Sequence, residues 1–97
     1  MGAALYFMLT FRPPREDFFT TMSEDEQQIV KAHLEYLAEL QDQGKVKFAG
    51  RDQRAAFGVA IVKVASLEEA EAIVEQNPAV AAGLYTCDLA RYTVPLE

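Results

Sequence analysis

The chain has one cysteine, one histidine, no tryptophan and only nine basic residues among its 97. The lone thiol, Cys87, cannot close an internal disulfide, and with His33 as the sole imidazole it cannot build a zinc site. Nine Lys and Arg against fifteen Asp and Glu give a formal charge of −6 at pH 7. That balance argues against nucleic-acid binding, which rests on basic side chains meeting phosphates. No stretch approaches the ~18 uncharged apolar residues of a membrane span. The apolar opening from Met1 to Phe11 has no basic segment and no small-residue cleavage site, and it stops at Arg12-Pro13-Pro14. It does not read as a secretory signal, and a cytoplasmic location is expected. Nucleophile-elbow, Walker, dinucleotide-binding and zinc-protease signatures are missing, so neither a metal nor a cofactor is expected.

What is present is a 51% hydrophobic chain whose length suits one domain, read here over residues 1–95. Leu96-Glu97 reads as a cloning remnant. Residues Ala3 to Phe11 alternate with a two-residue period and predict a strand: Leu5, Phe7, Leu9 and Phe11 share one face, Ala4, Tyr6, Met8 and Thr10 the other. Pro13-Pro14 ends it, and a loop from Arg12 to Met22 follows. Ser23-Glu24-Asp25-Glu26 is a capping box that opens a helix. Its stripe is Ile29, Val30, His33, Leu34, Leu37 and Leu40, closed by Gly44. Strands are expected over Lys45 to Gly50 and Ala56 to Ala65. Ser66-Leu67-Glu68-Glu69 repeats the capping signature before a helix that ends ahead of Asn77-Pro78. After a short apolar turn, Val80 to Gly83, Leu84 to Val94 forms the last strand. The order βαββαβ is ferredoxin-like: a four-stranded antiparallel sheet with two helices on one face, an α+β fold.

Two helices cover only one sheet face, yet both faces are apolar. Phe57, Val59 and Ile61 point one way in the third strand, and Ala56, Ala60, Val62 and Val64 the other. Several hundred square ångströms of exposed apolar sheet would forgo many kcal/mol at ~25 cal/mol per Å² and invite aggregation. A homodimer through the open sheet face is the expected remedy; a monomer with a third helix is the alternative.

His33 lies on the buried stripe, where an imidazole serves either as a general acid or base or as a core-edge residue bonded to a backbone carbonyl. Arg12 follows a buried strand and offers a planar fork for a substrate oxyanion, or else a surface salt bridge with Glu16 or Asp17. Asp88 sits mid-strand on the face of Thr86, Ala90 and Tyr92, so it meets solvent at a sheet edge or has a partner. Tyr6 joins Arg12 and Asp88 as a candidate substrate contact, although Tyr6, Tyr36, Tyr85 and Tyr92 all read equally as packing residues with a polar tip. Cys87 reads as a small buried residue rather than a nucleophile.

Several ordered segments together resemble the YciI-like (YCII-related) family. They are Leu9-Thr10-Phe11-Arg12-Pro13, His33-Leu34 with Leu37 and Leu40, Gly44-Lys45-Val46, Ala49-Gly50, Phe57-Gly58-Val59-Ala60, Ser66-Leu67-Glu68-Glu69-Ala70 and Asn77-Pro78-Ala79-Val80-Ala81-Ala82-Gly83. The resemblance implies a dimeric α+β barrel and a His–Asp pair beside the sheet. By position, the histidine is His33 and the acid position is held here by Asn77. Asparagine orients an imidazole by hydrogen bonding but does not stabilise an imidazolium as a carboxylate does. A second departure is Arg51, which follows Gly50 where the family commonly has proline. One branch of the family is similar to dehydrochlorinases of chlorinated hydroxyhydroquinones, and wider relatives include cofactor-independent monooxygenases and muconolactone isomerases.

Three functions follow as expectations. One is a cofactor-independent enzyme acting on a small cyclic or phenolic substrate, with His33 shuttling a proton and Asn77 holding its tautomer. Another is a non-catalytic dimer binding a small molecule or a protein, the family pair having been lost. The third is a structural module without a pocket.

Overall fold

Alternation in the first strand and the two helix-start signatures account for most of the architecture. The computed structural model describes residues 4–96; the expected strand start at Ala3, the first three residues of the domain and Glu97 of the expected remnant lie outside them. β1 (Leu5–Arg12) buries Phe7, Leu9 and Phe11 on one side, and its register ends at the Pro13-Pro14 pair. β2 (Val46–Arg51), β3 (Gly58–Val64) and β4 (Thr86–Tyr92) complete an antiparallel sheet of order β2-β3-β1-β4. The two central strands are therefore β3 and β1, which explains their apolar content. The fold is α+β and ferredoxin-like.

The helices lie on one face. α1 (Phe18–Thr21) is a single turn within the stretch expected to be loop, ordered because Phe18 is fully buried in the core. α2 (Glu24–Asp42) opens on a complete capping box: Ser23 Oγ accepts from the Glu26 amide, and Glu26 accepts from the Ser23 amide. It closes in a Schellman motif, with Gly44 N–H donating to Gln41 and Lys45 N–H to Leu40. Gly44 adopts a φ of +79°, the left-handed region that a side chain at this position would strain.

α3 (Leu67–Gln76) starts on Ser66, which caps the Glu69 amide, but the expected box is only half formed. The Glu69 carboxylate takes the Ala65 amide and pairs with Lys45 instead. α4 (Pro78–Ala81) replaces part of the expected turn, because Pro78 at its first position is pre-set for a helix. The strand ends are also shorter than the apolar runs: Ala56 and Phe57 precede β3, where the Asp52 carboxylate accepts their amides and holds the chain in a turn.

Beneath the helices, Phe7, Leu9, Phe11, Ala60, Val62 and Val64 form the core with Leu37, Ala70 and Ile73. The opposite sheet face carries Tyr6, Met8, Ile61, Phe48, Ala90 and Tyr92 in adjoining register. Ile61 is shielded there between its cross-strand neighbours, while Phe48 and Tyr92 are 56% and 45% exposed. No helix among the described residues covers that face. None is long and apolar enough to cross a membrane.

Arg15 clamps α1 to the start of α2. Its guanidinium donates to both oxygens of Glu26, at 2.9 and 2.8 Å, and to the Thr21 carbonyl. That bidentate contact, with the Ser23 amide second, holds the Glu26 carboxyl down at about 2 against an ordinary 4.5. Between those values the unfolded chain binds a proton that the folded chain refuses. The clamp therefore contributes stability above pH 4.5 that is lost as the pH falls toward 2. Urea unfolding across that interval should show a falling midpoint for the native chain and a shallower fall for Glu26→Gln; identical slopes would remove the clamp from the acid response.

Candidate functional site

His33 enters the site because α2 presents it at four-residue spacing between Ile29 and Leu37, on the stripe that faces the sheet. It is only 6% exposed. Phe11 from β1 and Tyr85 just before β4 meet it edge to face, with ring centroids at 4.9 and 5.2 Å. Not all of the expected stripe is buried. Leu34 is 59% exposed and lines the wall of a cavity instead.

Asn77 reaches the same place from the other helix pair. The residue before a proline is driven out of helical geometry, so α3 stops at Gln76 and Asn77 takes φ −65° and ψ 125°. It then caps α4, its Oδ1 accepting the Ala79 amide at 2.9 Å. The same oxygen lies 3.0 Å from His33 Nδ1, across 44 residues of sequence. Tyr36 supports this approach by donating its hydroxyl to the Ile73 carbonyl at 2.8 Å, which ties α2 to α3.

Because Oδ1 must accept from a backbone N–H, it is the oxygen, and His33 Nδ1 is the donor in this network. His33 is thereby held as the Nδ1–H tautomer, with Nε2 free to accept a proton. Burial pushes its pKa below 6.5, and the bond to Asn77 opposes that shift. Asn77 is itself fully buried, and its Nδ2 has no partner among the described residues. An unsatisfied buried donor costs about 1–3 kcal/mol, so this amide sits at a site not optimised for stability alone.

His33 opens onto a cavity of about 450 Å³ between α2 and the β2–β3 hairpin. Its walls are apolar and aromatic, including Phe11, Phe19, Leu37, Phe57 and Tyr85, with a floor of Ala49, Gly50 and Gly58. Arg51 also lines it, its guanidinium carbon 4.4 Å from the centre of the Phe19 ring. Burial raises the pKa of the Tyr85 hydroxyl, and the nearby Arg51 charge opposes that rise. At neutral pH the cavity therefore presents an unprotonated imidazole nitrogen, a phenol and a guanidinium. A volume of this order suits a small organic ligand.

The other expected contacts lie elsewhere. Arg12 pairs with Asp88 at 3.3 Å on the open sheet face, not with Glu16 or Asp17. Asp88 thus both meets solvent and has a partner, at the edge strand β4. Tyr6 lies on that face too, with the Lys63 ammonium 5.6 Å from its ring centre. None of the three lines the His33 cavity. Cys87 is half-buried on the helix side, its thiol pushed up to about 12 chiefly by burial, and is unsuited to nucleophilic work. No cluster of three or more His, Cys, Asp or Glu able to hold a metal occurs among the described residues.

Sequence reading missed Arg51, Phe19 and Phe57 as cavity residues and took Tyr85 only as packing. Arg51 carried a signal, a cation where the resemblance implies proline; Phe57 lay in a segment that carries the resemblance, and Phe19 in a long loop, but neither position pointed to a cavity.

Comparison with solved structures gives a matching fold. The 5-chloro-2-hydroxyhydroquinone dehydrochlorinase from Burkholderia phenoliruptrix AC1100, in complex with 2,5-dihydroxybenzoquinone, is similar at a TM-score of 0.65 and 22% identity. The match covers 90% of this chain and 93% of that one. No sequence match is found among curated proteins. The model of the YCII-related domain matches residues 6–88, nearly the whole of the βαββαβ unit, and the chain belongs to the YCII-related family.

Proposed function

We propose that the protein is a cofactor-independent enzyme in which His33 moves a proton on a small cyclic or phenolic substrate. The observation that carries this reading is the Asn77–His33 bond, which commits Nδ1 as donor and leaves Nε2 as a base at the cavity. In the reaction, an O–H or C–H proton of the substrate passes to Nε2, and the electron pair stays on the substrate as an oxyanion or enolate. The imidazolium has only the neutral Asn77 oxygen behind it and stands in a largely apolar wall. It is a stronger acid there than a free imidazolium and returns the proton at a second position, which is the property a shuttle needs. The family membership and the activity of the structural neighbour, on a chlorinated hydroxyhydroquinone, support the substrate class.

The second reading is a non-catalytic dimer that binds a small molecule or a protein. Asn77 in place of a carboxylate favours it, because the imidazole then lacks a charged partner. Turnover separates the two. On a panel of phenols, hydroquinones and lactones, His33→Ala should lower the rate of any active substrate by about 10²–10⁴. A panel with no turnover at all would leave the binding reading.

Tuning of the site is tested separately by following the His33 ring protons by NMR against pH. The native histidine should titrate below 6.5, and Asn77→Asp should move the midpoint upward, because a carboxylate stabilises the imidazolium. An unmoved midpoint would show that position 77 does not govern the imidazole.

The reading includes a homodimer through the open face of the sheet. Phe48 and Tyr92 stand exposed around Ile61 and Met8, and the Arg12–Asp88 pair gives the patch a polar margin. Light scattering should report twice the chain mass at micromolar concentration and the single-chain mass for Phe48→Glu with Tyr92→Glu. Both positions are exposed, so the substitutions leave the core intact. A native monomer would refute the dimer.

A further inference from the structure

Among the described residues, Arg51 is the only formally charged side chain lining the cavity, in a chain whose net charge is −6. No described carboxylate lines the same walls. Nor does Arg51 pair with one among the described residues. The nearest in sequence, Asp52, is committed to its own turn, accepting from the Arg54, Ala56 and Phe57 amides. Arg51 is exposed, so solvent meets its charge, and it borders an apolar concavity that no described carboxylate lines.

Its orientation is also set. Phe19, carried on α1, stacks under the guanidinium at 4.4 Å. The Arg15 clamp anchors α1, so the stacking partner has a fixed place. With one flat side covered, the N–H edge is what remains for bonding, and that edge matches a planar oxyanion bidentately. Around it stand Phe11, Phe57 and Tyr85, surfaces suited to a single flat ring.

We infer that Arg51 is the anion contact of this cavity and that its ligand is a one-ring organic oxyanion, a carboxylate or phenolate. The inference deepens the proposed function by giving the substrate a charge and a point of attachment. It rests on the cavity being the ligand site, and it does not require turnover. The role is one of recognition: Arg51 holds the ligand's oxyanion while His33 lines the same space. The fork expected of Arg12 is supplied from the β2 end instead, since Arg12 is engaged with Asp88 outside the cavity.

The test is equilibrium binding on the full chain, read by calorimetry and by shifts of the His33 and Tyr85 resonances. Benzoate and its neutral isostere benzamide serve as probes. The native protein should bind benzoate at least about ten times more tightly than benzamide, the size of effect a charge-assisted hydrogen bond supplies. Arg51→Gln should abolish that preference while leaving benzamide affinity unchanged, and Arg51→Lys should restore part of it.

Equal weakening of both probes in Arg51→Gln would mean that the Phe19 stack only shapes the wall, and the inference would fall. A preference that survives Arg51→Gln, or no binding of benzoate at millimolar concentration, would overturn it as well. If the preference follows Arg51 but no substrate is turned over, the anion site stands and the proton-transfer reading fails. If turnover is lost in His33→Ala while the preference is indifferent to Arg51, proton transfer stands and the anion site falls.

Discussion

A four-stranded sheet has two faces, and this chain has helix enough for one. That constraint decides the rest of the molecule. α2 and α3 must lie side by side over β1 and β3, because those central strands carry Phe7, Leu9, Phe11, Ala60, Val62 and Val64 toward them. Side by side, they bring the middle of α2 to the end of α3, which is where His33 and Asn77 meet. The other face keeps Met8, Ile61 and Phe48 with no helix among the described residues to cover them. Site and open face are thus two results of one shortage.

At the site, two kinds of order are combined. Asn77 is fixed by backbone chemistry, since Pro78 fixes its geometry and Ala79 fixes the direction of its amide. His33 is fixed by packing, wedged between the rings of Phe11 and Tyr85. Neither residue contributes charge. Among the described residues, the cavity's one formal charge arrives from a different element, at the end of β2, and stacks on a ring of α1. The unsatisfied Asn77 Nδ2 is the stability cost of an arrangement held together by one oxygen accepting two bonds.

Local signals carried most of the fold. Ser23 with Glu26, Gly44, and Asn77-Pro78 each specify a helix end through backbone geometry, and each sits where such geometry requires. Glu69 shows the limit of that reasoning: its carboxylate takes the Ala65 amide rather than that of Ser66, and pairs with Lys45, which only the folded chain brings near. The same limit governed the site. That Asp88 and Arg12 lie on one sheet face follows from two-residue periodicity, but their pairing joins β1 to β4 across 76 residues. Arg51 and Phe19 come from segments with no periodicity, so nothing short of the packed hairpin could place them against one cavity. α1 was hidden for a related reason, since a single turn owes its order to Phe18 in the core and not to helix propensity.

Asparagine at position 77 also alters how the cavity responds to what enters it. With a resident carboxylate, the imidazole would carry a built-in counter-ion and its proton affinity would already be raised in the empty cavity. Here, if the guest is the inferred oxyanion, the first negative charge His33 meets is the guest's own. An entering oxyanion raises the proton affinity of the ring, so binding and protonation are linked, and each strengthens the other. With the inferred anion as its ligand, the pocket would take up protons as it fills, and its acid–base character would belong to the complex rather than to the protein.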